Sequence, residues 1–339
     1  MDLFLFHHDR YSRLYNCSVL TTAEWYGKGQ PSVALGVAII VVGFLLLVPY
    51  IPCLLVIMKS SLYRFSSYKI MLYLGFTDIL CLFVNSVITG YVTIVGAEPC
   101  PYIDLQYVIG SLALGMWASQ CSSCVLLSFN RCVEFWKPRY LHASFQGRRT
   151  YVWLLFCVGY SIYITFYTQG FVYSSIQHSW FANPYVGIPE ILDKIDVSEY
   201  IDGQYIANNV IVTILLPLFY AFLLISVWLK KRRISTPQRR NSKMQTLMTV
   251  QSVFICFFTL LTAVVYMTIQ FVRLPLGVSI AVNIFWQLSN GAPALIYLIV
   301  NRTIRQKVSF ILFNKKPSRI AIPTISIVPP MTQFTPNTP

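Results

Sequence analysis

Charged side chains are scarce in this sequence, and acidic ones are the scarcest. Asp, Glu, Lys and Arg make up 11% of the 339 residues, while 56% are hydrophobic; a soluble domain carries about 25% charged residues. This deficit excludes an ordinary soluble domain and indicates a membrane protein. The 26 basic residues outnumber the 12 acidic ones, and because they are scattered over separate loops we expect them to meet membrane lipids rather than nucleic acid.

The sequence also lacks the common signatures of enzymes. It contains no H-E-x-x-H, no G-x-S-x-G, no glycine-rich phosphate loop and no pair of carboxylates within a hydrophobic run. The four histidines lie at spacings that do not suggest a metal site. Residues 1–30, here called the arm, lack the hydrophobic stretch of a cleaved signal peptide, so we expect the first hydrophobic run to direct insertion. These absences favour a membrane protein that is not an enzyme.

Seven hydrophobic runs are each long enough for a membrane-spanning helix, which needs roughly 20 mostly apolar residues. Spans one to seven are predicted, in chain order, at 31–58, 68–95, 103–130, 150–172, 205–229, 246–271 and 277–300. The predicted fold is therefore an all-α membrane protein, a seven-transmembrane helix bundle over 31–300. We expect an amphipathic juxtamembrane helix at 301–316 and a disordered tail, rich in proline and threonine, at 317–339.

Lysine and arginine are distributed unevenly between the two ends of the predicted bundle. The loops after spans one, three and five, together with the segment after span seven, hold 21 of the 26, and the arm and the remaining loops hold 5. Because basic loops stay in the cytoplasm, we predict an extracellular N-terminus and a cytoplasmic C-terminus. The cytoplasmic charge either only sets this orientation and meets anionic lipid, or also forms a docking surface for a cytosolic partner.

Two of the nine cysteines, Cys17 and Cys100, fall in the predicted extracellular segments, where conditions are oxidising. We predict a disulfide between them, with two free thiols as the alternative, because sequence alone does not fix a pairing. The other cysteines are expected to be small apolar fillers of the spans. The triplet Asn16-Cys17-Ser18 predicts glycosylation of Asn16, whereas the triplet that begins at Asn301 would be cytoplasmic and unmodified.

Polar residues recur along one face of five predicted spans, at offsets that return to the same side of an α-helix. These polar lines are Asp78, Asn85 and Thr89 in span two; Gln106, Ala113, Trp117, Gln120, Cys124 and Arg131 in span three; Asn209, Thr213 and Tyr220 in span five; Thr259, Thr262, Tyr266 and Gln270 in span six; and Asn283, Gln287, Asn290, Tyr297 and Asn301 in span seven. They predict either a shared polar interior or ordinary hydrogen bonding between helices. Span four instead carries an aromatic line, which suits packing or anchoring at the membrane interface.

Asp78 is the only ionisable residue well inside a predicted span. A charge at that depth costs about 3 kcal/mol on insertion scales, so such a residue is a candidate for function. With Gln120 and Asn290 it could hold a monovalent cation or a cluster of waters. The alternative is a protonated, hydrogen-bonded aspartic acid with a structural role.

Longer motifs resemble those of known receptors. Arg131 at the inner end of span three, Asp78 in L-G-F-T-D, Trp153, Pro217 and the P-A-L-I-Y of 293–297 resemble G-protein-coupled receptors. The chain is similar, more closely, to the nematode serpentine receptor class T chemoreceptors. That resemblance lies in Y-N-C-S (15–18), E-W-Y-G-K (24–28), Y-I-P-C-L-L-V (50–56), Y-K-I-M-L-Y-L-G-F-T-D-I-L-C-L (68–82), G-S-L-A-L-G-M-W (110–117) and L-S-F-N-R-C-V-E (127–134).

This resemblance implies a chemosensory receptor in the plasma membrane, in a sensory-neuron cilium, that binds an external small molecule and activates a heterotrimeric G protein. The expected G-protein contact comprises Asn130, Arg131, Cys132, Glu134, Lys231, Arg232 and Arg233. The expected ligand pocket, in the outer half of the bundle, comprises Gln106, Ala113, Trp117, Asn209, Tyr266, Gln270, Asn283 and Gln287. The expected polar core comprises Asp78, Gln120, Asn290, Pro293 and Tyr297. The aromatic pocket suits a small and fairly apolar molecule, although the acidic loop 190–202 could favour a cation.

The sequence departs from the wider receptor family at the inner end of span three. Asn130 stands where that family has an aspartate that pairs with the arginine, and 243–246 at the inner end of span six contains no acid. We therefore hypothesise that no charge lock joins spans three and six, so that packing and neutral hydrogen bonds restrain the inactive state. Two other functions stay open: a peptide receptor, and a seven-span transporter or channel, although no repeated halves are seen.

Overall fold

The computed structural model describes residues 1–233, 239–269, 271 and 275–313, and within the helices it omits the side chains of 230–233, 239–249 and 313. The predicted tail at 317–339, the end of the predicted juxtamembrane helix at 314–316, and Gln270 therefore lie outside the described residues, as do the side chains of Lys231, Arg232 and Arg233.

Helices account for most of the described chain. In order they are α1 (Asp2–Leu5), α2 (His8–Leu14), α3 (Thr22–Lys28), α4 (Val33–Leu47), α5 (Tyr50–Lys59), α6 (Ser66–Leu82), α7 (Thr89–Val95), α8 (Ile103–Trp136), α9 (Arg139–Ser144), α10 (Thr150–Tyr167), α11 (Pro189–Leu192), α12 (Gly203–Arg233), α13 (Arg239–Thr268), α14 (Leu276–Val300) and α15 (Arg302–Phe313). A π-helical stretch, Phe83–Ile88, joins α6 to α7.

The seven predicted spans are all present as helices. Span one is α4 with α5, span two is α6 with α7, and spans three to seven are α8, α10, α12, α13 and α14. Six of them are long and apolar enough to cross a membrane. The seventh, α14, is less hydrophobic because its polar line adds amide side chains along the helix. Span four ends at Tyr167, earlier than predicted, since the chain turns there into a loop.

Proline interrupts span one, as its sequence indicates. The helix α4 ends at Leu47, Pro49 precedes α5, and α5 begins at Tyr50. Proline has no N–H to donate to the preceding turn and its ring crowds the carbonyl four residues back, so the helix breaks there. The break lets Tyr50, which is fully buried, turn towards the middle of the bundle.

Span three is the central helix of the bundle. It contacts spans two, four, five and six, and it is the most buried of the candidate spans, whereas span four is the least buried. The polar lines face inwards: among their described members only Thr213 is not fully buried. The aromatic line of span four faces outwards, with Phe156 69% exposed. In a membrane this pattern places the polar groups against protein, as the cost of burying them in lipid requires.

A compact layer covers one end of the bundle, which we call the arm side. It consists of the arm and of residues 168–202, here called the cap loop, which contains the antiparallel hairpin β1 (Val172–Ser174) and β2 (Ser179–Phe181). The cap loop lies directly on span three: a Cβ added at Gly110 would stand 1.7 Å from the carbonyl oxygen of Phe171. Only glycine therefore allows this approach. The opposite end of the bundle, which carries most of the lysine and arginine, is the basic side.

The helix that follows span seven, α15, is amphipathic. In α15, Ile304 and Val308 are buried, while Phe310, Ile311 and Leu312 are exposed. This helix packs against α5 of span one. Its exposed apolar face and its basic residues are typical of a helix lying in a membrane interface.

Candidate functional site

A disulfide and a group of tyrosines hold the arm to the cap loop. Cys17 and Cys100 form the predicted disulfide, with their Cα atoms 5.3 Å apart, and it ties the arm to the start of span three. The Tyr185 and Tyr200 hydroxyls, from the cap loop, both donate to the carbonyl oxygen of Leu14, at 3.3 and 2.6 Å. Asn16 beside the disulfide is exposed, so its amide remains available for the predicted glycosylation.

A buried glutamate joins the cap loop to the segment between spans two and three. Glu98 is 2% exposed. Its Oε1 accepts hydrogen bonds from the Ser175 N–H at 2.9 Å, the Ser175 hydroxyl at 2.6 Å and the Ile176 N–H at 3.2 Å. Burial raises the pKa of the Glu98 carboxyl from its ordinary 4.5 to about 7, although these hydrogen bonds oppose the shift. No pattern in the sequence indicates this role.

Beneath the cap loop, aromatic side chains enclose a small inner cavity. It is lined by Gly110, Ala113, Leu114, Trp117, Phe171, Trp180, Tyr205, Thr262, Tyr266 and Trp286. Its free volume of ≈ 20 Å³ is enough for about one water molecule. The ring of Tyr266 in span six meets that of Trp286 in span seven edge to face, with centroids 6.0 Å apart. The cavity therefore lies where spans three, five, six and seven meet the cap loop.

Three of the residues predicted for the ligand pocket line this cavity: Ala113, Trp117 and Tyr266. Four others, Gln106, Asn209, Asn283 and Gln287, are buried outside its lining, and their part in a ligand pocket stays a prediction. Three of the four, Gln106, Asn209 and Gln287, use amide atoms to bind the protein itself. The Gln106 amide bonds the backbone of Glu98 and Tyr173.

The other three amides of that set lie outside the cavity lining, and two of them form hydrogen bonds within the protein. Asn209 accepts a 3.0 Å hydrogen bond from the Trp117 indole, and Gln287 donates to the Ile39 carbonyl and the Ser86 hydroxyl, at 2.7 and 2.8 Å. Asn283 is buried, yet neither atom of its amide has a hydrogen-bond partner among the described residues. An amide in that condition would gain from a water or a ligand group.

The sequence missed the cap-loop residues of the cavity. Phe171 and Trp180 come from the loop between spans four and five, and no periodic pattern predicts which side chains of an irregular loop turn inwards. Trp286 was missed for another reason: it adjoins the polar line of span seven, and that line contains polar residues alone.

The predicted polar core lies in the middle of the bundle and is built around Asp78. The Tyr50 hydroxyl donates to Asp78 Oδ2 at 2.7 Å and also contacts the carbonyl oxygen of Asn290. Gln120 donates from Nε2 to the Ser289 carbonyl at 2.8 Å. Pro293 and Tyr297 are buried one and two turns further along span seven. The structure thus brings the five predicted core residues into one buried region and adds Tyr50 from span one.

Several polar atoms of this core have no hydrogen-bond partner among the described residues. They include Asp78 Oδ1, Gln120 Oε1, Asn290 Oδ1 and the Tyr297 hydroxyl, together with Ser123 Oγ and Asn85 Nδ2. Unpaired buried oxygens are rare in proteins and call for water or an ion. Hard cations prefer such carboxylate, amide and hydroxyl oxygens, so the donor set fits a small hydrated cation.

At the basic side, Arg131 joins span three to span six. The residue is 8% exposed, and its Nε donates to the Ser252 hydroxyl at 3.3 Å. Ser252 is a neutral partner. The chain contains no Asp or Glu after Asp202, so spans five, six and seven offer Arg131 no carboxylate side chain.

The residues around Arg131 bind other spans. Asn130 is fully buried and faces span two, where it exchanges hydrogen bonds of 3.0 Å with Ser66 and Ser67. Glu134 accepts from the Ser66 hydroxyl at 3.1 Å. Cys132 instead faces span five, where its thiol contacts the Phe219 carbonyl at 3.6 Å. Asn130 therefore joins span three to span two through hydrogen bonds, and its side chain is directed towards span two.

The described residues contain no group of histidine, cysteine and carboxylate side chains that could hold a metal ion. The arrangement is instead one of contacts between helices, which run from the inner cavity through the Asp78 core to Arg131. Each layer includes span three and at least one of spans six and seven. Such an arrangement can transmit a relative movement of these helices from one end of the bundle to the other.

Comparisons with known proteins agree with this architecture. Residues 2–321 match the family model described as serpentine type 7TM GPCR chemoreceptor Srt. Serpentine receptor class T-55 of Caenorhabditis elegans is 26% identical over 296 residues, which cover 86% of this chain and 78% of that protein.

A solved structure shows the same fold. The crystal structure of squid rhodopsin superposes with a TM-score of 0.63 and 16% sequence identity, covering 87% of this chain and 90% of that one. The predicted seven-transmembrane, all-α fold is confirmed, and so is the resemblance to the class T receptors.

Proposed function

Since the chain belongs to the serpentine type 7TM GPCR chemoreceptor Srt family, we propose that it binds an external small molecule and activates a heterotrimeric G protein. The chain is a multi-pass membrane protein of a receptor family, not of an enzyme family. The proposal places it in the plasma membrane of a sensory cell, in the cilium, with the arm side outside and the basic side in the cytosol. The skewed distribution of lysine and arginine supports that orientation.

The observation that carries the proposal is the hydrogen bond from the Arg131 guanidinium to the uncharged Ser252 hydroxyl. It holds span three to span six at the basic side, where a G protein would dock, and a hydrogen bond of this kind contributes about 0.5–3 kcal/mol. A ligand needs only to favour the separated arrangement by a comparable free energy to shift the population. When span six moves, Arg131 becomes available to the G protein together with Asn130, Cys132 and Glu134, and with Lys231, Arg232 and Arg233 of span five.

A monovalent cation in the Asp78 core is part of the proposal. The unpaired oxygens of Asp78, Gln120, Asn290 and Tyr297 would hold it. Because the ion would bind one arrangement of spans two, three and seven better than another, it would bias the resting population. Sodium-dependent basal exchange, lost in Asp78→Asn, would be the sign of such a site.

The test measures GTP exchange in membranes that contain this receptor and a heterotrimeric G protein. Each compound of a chemical panel is added in turn, and an active compound should raise the exchange rate in the wild type but not in Arg131→Ala. Surface expression of both proteins is measured in parallel, because Arg131 is buried and its loss could impair folding.

Flux measurements in sealed vesicles separate the receptor from a transporter or channel. Compound-dependent movement of ions or of the compound itself, without GTP exchange, would contradict the proposal. An unchanged response in Arg131→Ala would contradict the role given to that residue.

A further inference from the structure

A second and larger space lies between the cap loop and the arm-side ends of spans six and seven. This space, here called the vestibule, has a volume of ≈ 440 Å³, within the range of pockets that bind drug-sized molecules. Its walls include Phe181, Ala182 and Leu192 of the cap loop, and Ile269 and Ser279 at the ends of the two spans. The inner cavity, at ≈ 20 Å³, cannot hold such a molecule without rearrangement.

The vestibule is largely apolar, and no charged side chain lines it among the residues that the structure describes. The cap loop contains five acids, none of which lines the vestibule, and three of their carboxylates have partners elsewhere. Glu190 pairs with Lys28 at 3.3 Å, Glu199 pairs with Arg13 at 3.4 Å, and Asp202 accepts from the Gln169 N–H at 2.8 Å. These partners argue against the cationic ligand that the acidic loop could suggest.

Two amides give the vestibule hydrogen-bond donors. Gln177 uses its Oε1 to accept from the Ser279 hydroxyl at 3.1 Å, and Asn183 uses its Oδ1 to accept from the Tyr185 N–H at 2.9 Å. Within the described part of the chain, neither amide nitrogen donates to a protein acceptor. Each amide therefore retains two N–H donors for a ligand.

Resting on the proposed function, we infer that the vestibule is the first binding site of the receptor's ligand, and that this ligand is a neutral, mostly apolar molecule with a hydrogen-bond acceptor. Ketones, esters and ethers of medium chain length have this chemistry. A charged molecule of the same size would lose its hydration without gaining a counter-charge from the described lining.

The wall between the vestibule and the inner cavity gives such a ligand a route to the helices. Phe171 and Trp180 line both spaces. Trp180 is 2% exposed, and its indole donates to the Thr89 hydroxyl of span two at 2.9 Å. A ligand in the vestibule touches one side of this wall, while the other side packs among the aromatic residues of the inner cavity, Tyr266 of span six included.

Thermal unfolding of the purified receptor tests the binding directly. The free cysteines of the described chain, seven in number, are all buried, so a dye that fluoresces on reaction with thiols reports unfolding. The probes are 2-heptanone and 2-nonanone, with heptylamine and heptanoate as charged counterparts. We expect the ketones to raise the Tm in a saturable manner and the charged compounds to give no saturable rise.

Matched phenylalanine variants locate the site. Ala182→Phe fills the vestibule, and Ser279→Phe fills it from the opposite wall, so either variant should abolish the ketone effect on Tm. Leu114→Phe alters the inner cavity instead, since Leu114 lines that cavity and not the vestibule, and it should leave the ketone effect intact. Val278→Phe, next to Ser279 but 42% exposed and outside the vestibule lining, is the control for an added ring.

Three results would overturn the inference. They are the absence of any ketone effect, an effect of equal size with the charged compounds, and an effect that survives Ala182→Phe and Ser279→Phe but not Leu114→Phe. Because no G protein takes part in this assay, ketone binding without GTP exchange would contradict the proposed signalling and leave the site intact. GTP exchange driven only by charged compounds would support the proposed signalling and contradict the ligand class inferred for the vestibule.

Discussion

At the scale of single residues, the contact between Arg131 and Ser252 should set the basal activity. Removing the Ser252 hydroxyl in Ser252→Ala deletes a hydrogen bond from the Arg131 guanidinium that joins spans three and six. Such a bond contributes about 0.5–3 kcal/mol, which corresponds to roughly a two- to hundredfold change in an equilibrium constant. We expect ligand-free GTP exchange, normalised to the amount of receptor at the surface, to rise by a factor in that range.

Ser128→Ala is the matched control for this prediction. Ser128 is equally buried and lies on span three, but its hydroxyl donates to the Val125 carbonyl of its own helix. Its removal should leave basal exchange unchanged. If Ser252→Ala and the control behave alike, the restraint on the inactive state lies in contacts other than this hydrogen bond.

At the scale of elements, Glu98 should make the attachment of the cap loop depend on pH. Its pKa in the folded protein, about 7, exceeds the ordinary value of 4.5. Between these values the folded protein binds more protons than the unfolded one, so the free energy of unfolding falls as pH rises, by at most about 1.4 kcal/mol per pH unit. We expect the Tm of the wild type to decrease between about pH 5 and pH 7.5 by several degrees relative to Glu98→Gln, measured by tryptophan fluorescence.

Two comparisons isolate this effect. Burial lowers the pKa of His178 in the cap loop. Its contribution therefore makes the free energy of unfolding rise with pH below about pH 6.5, opposite to that of Glu98. Because His178 is present in both proteins, its contribution cancels in the difference between wild type and Glu98→Gln. Glu190→Gln, which removes an exposed carboxylate, should keep the slope of the wild type. A parallel pH dependence in wild type and Glu98→Gln would exclude Glu98 as its source.

The spans could be predicted from the sequence, whereas the cap loop could not. Helical periodicity placed Asp78, Gln120 and Asn290 on inward faces because a repeat of about 3.6 residues fixes which side chains share a side. It could not show that Gln106 and Gln287 would be satisfied by backbone carbonyls or neighbouring hydroxyls, because those partners depend on how the helices are rotated and spaced. Irregular loops have no period, so Glu98 and Trp180 could be recognised only in the folded structure.

At the scale of the whole molecule, opposite charges gather at opposite ends of the bundle. In the sequence, ten of the 12 acidic residues belong to the arm and to the loops and span ends predicted to share its side, with five basic residues, and 21 basic residues belong to the segments predicted on the other side. The cytoplasmic leaflet is anionic and attracts basic segments by about 1 kcal/mol per residue near its surface. The family and the fold do not by themselves orient this chain, but the charge distribution predicts that the arm is outside.

Epitope accessibility in intact cells checks this orientation. One epitope is inserted after Phe6, which is 72% exposed between α1 and α2, and a second, in a separately expressed variant, is inserted between α12 and α13 at 234–238. Antibody should reach the first without permeabilisation and the second only after it. The opposite labelling would place Arg131 outside the cell, where no G protein could meet it, and would expose the vestibule to the cytosol. Both the proposed signalling and the proposed ligand entry therefore depend on this one result.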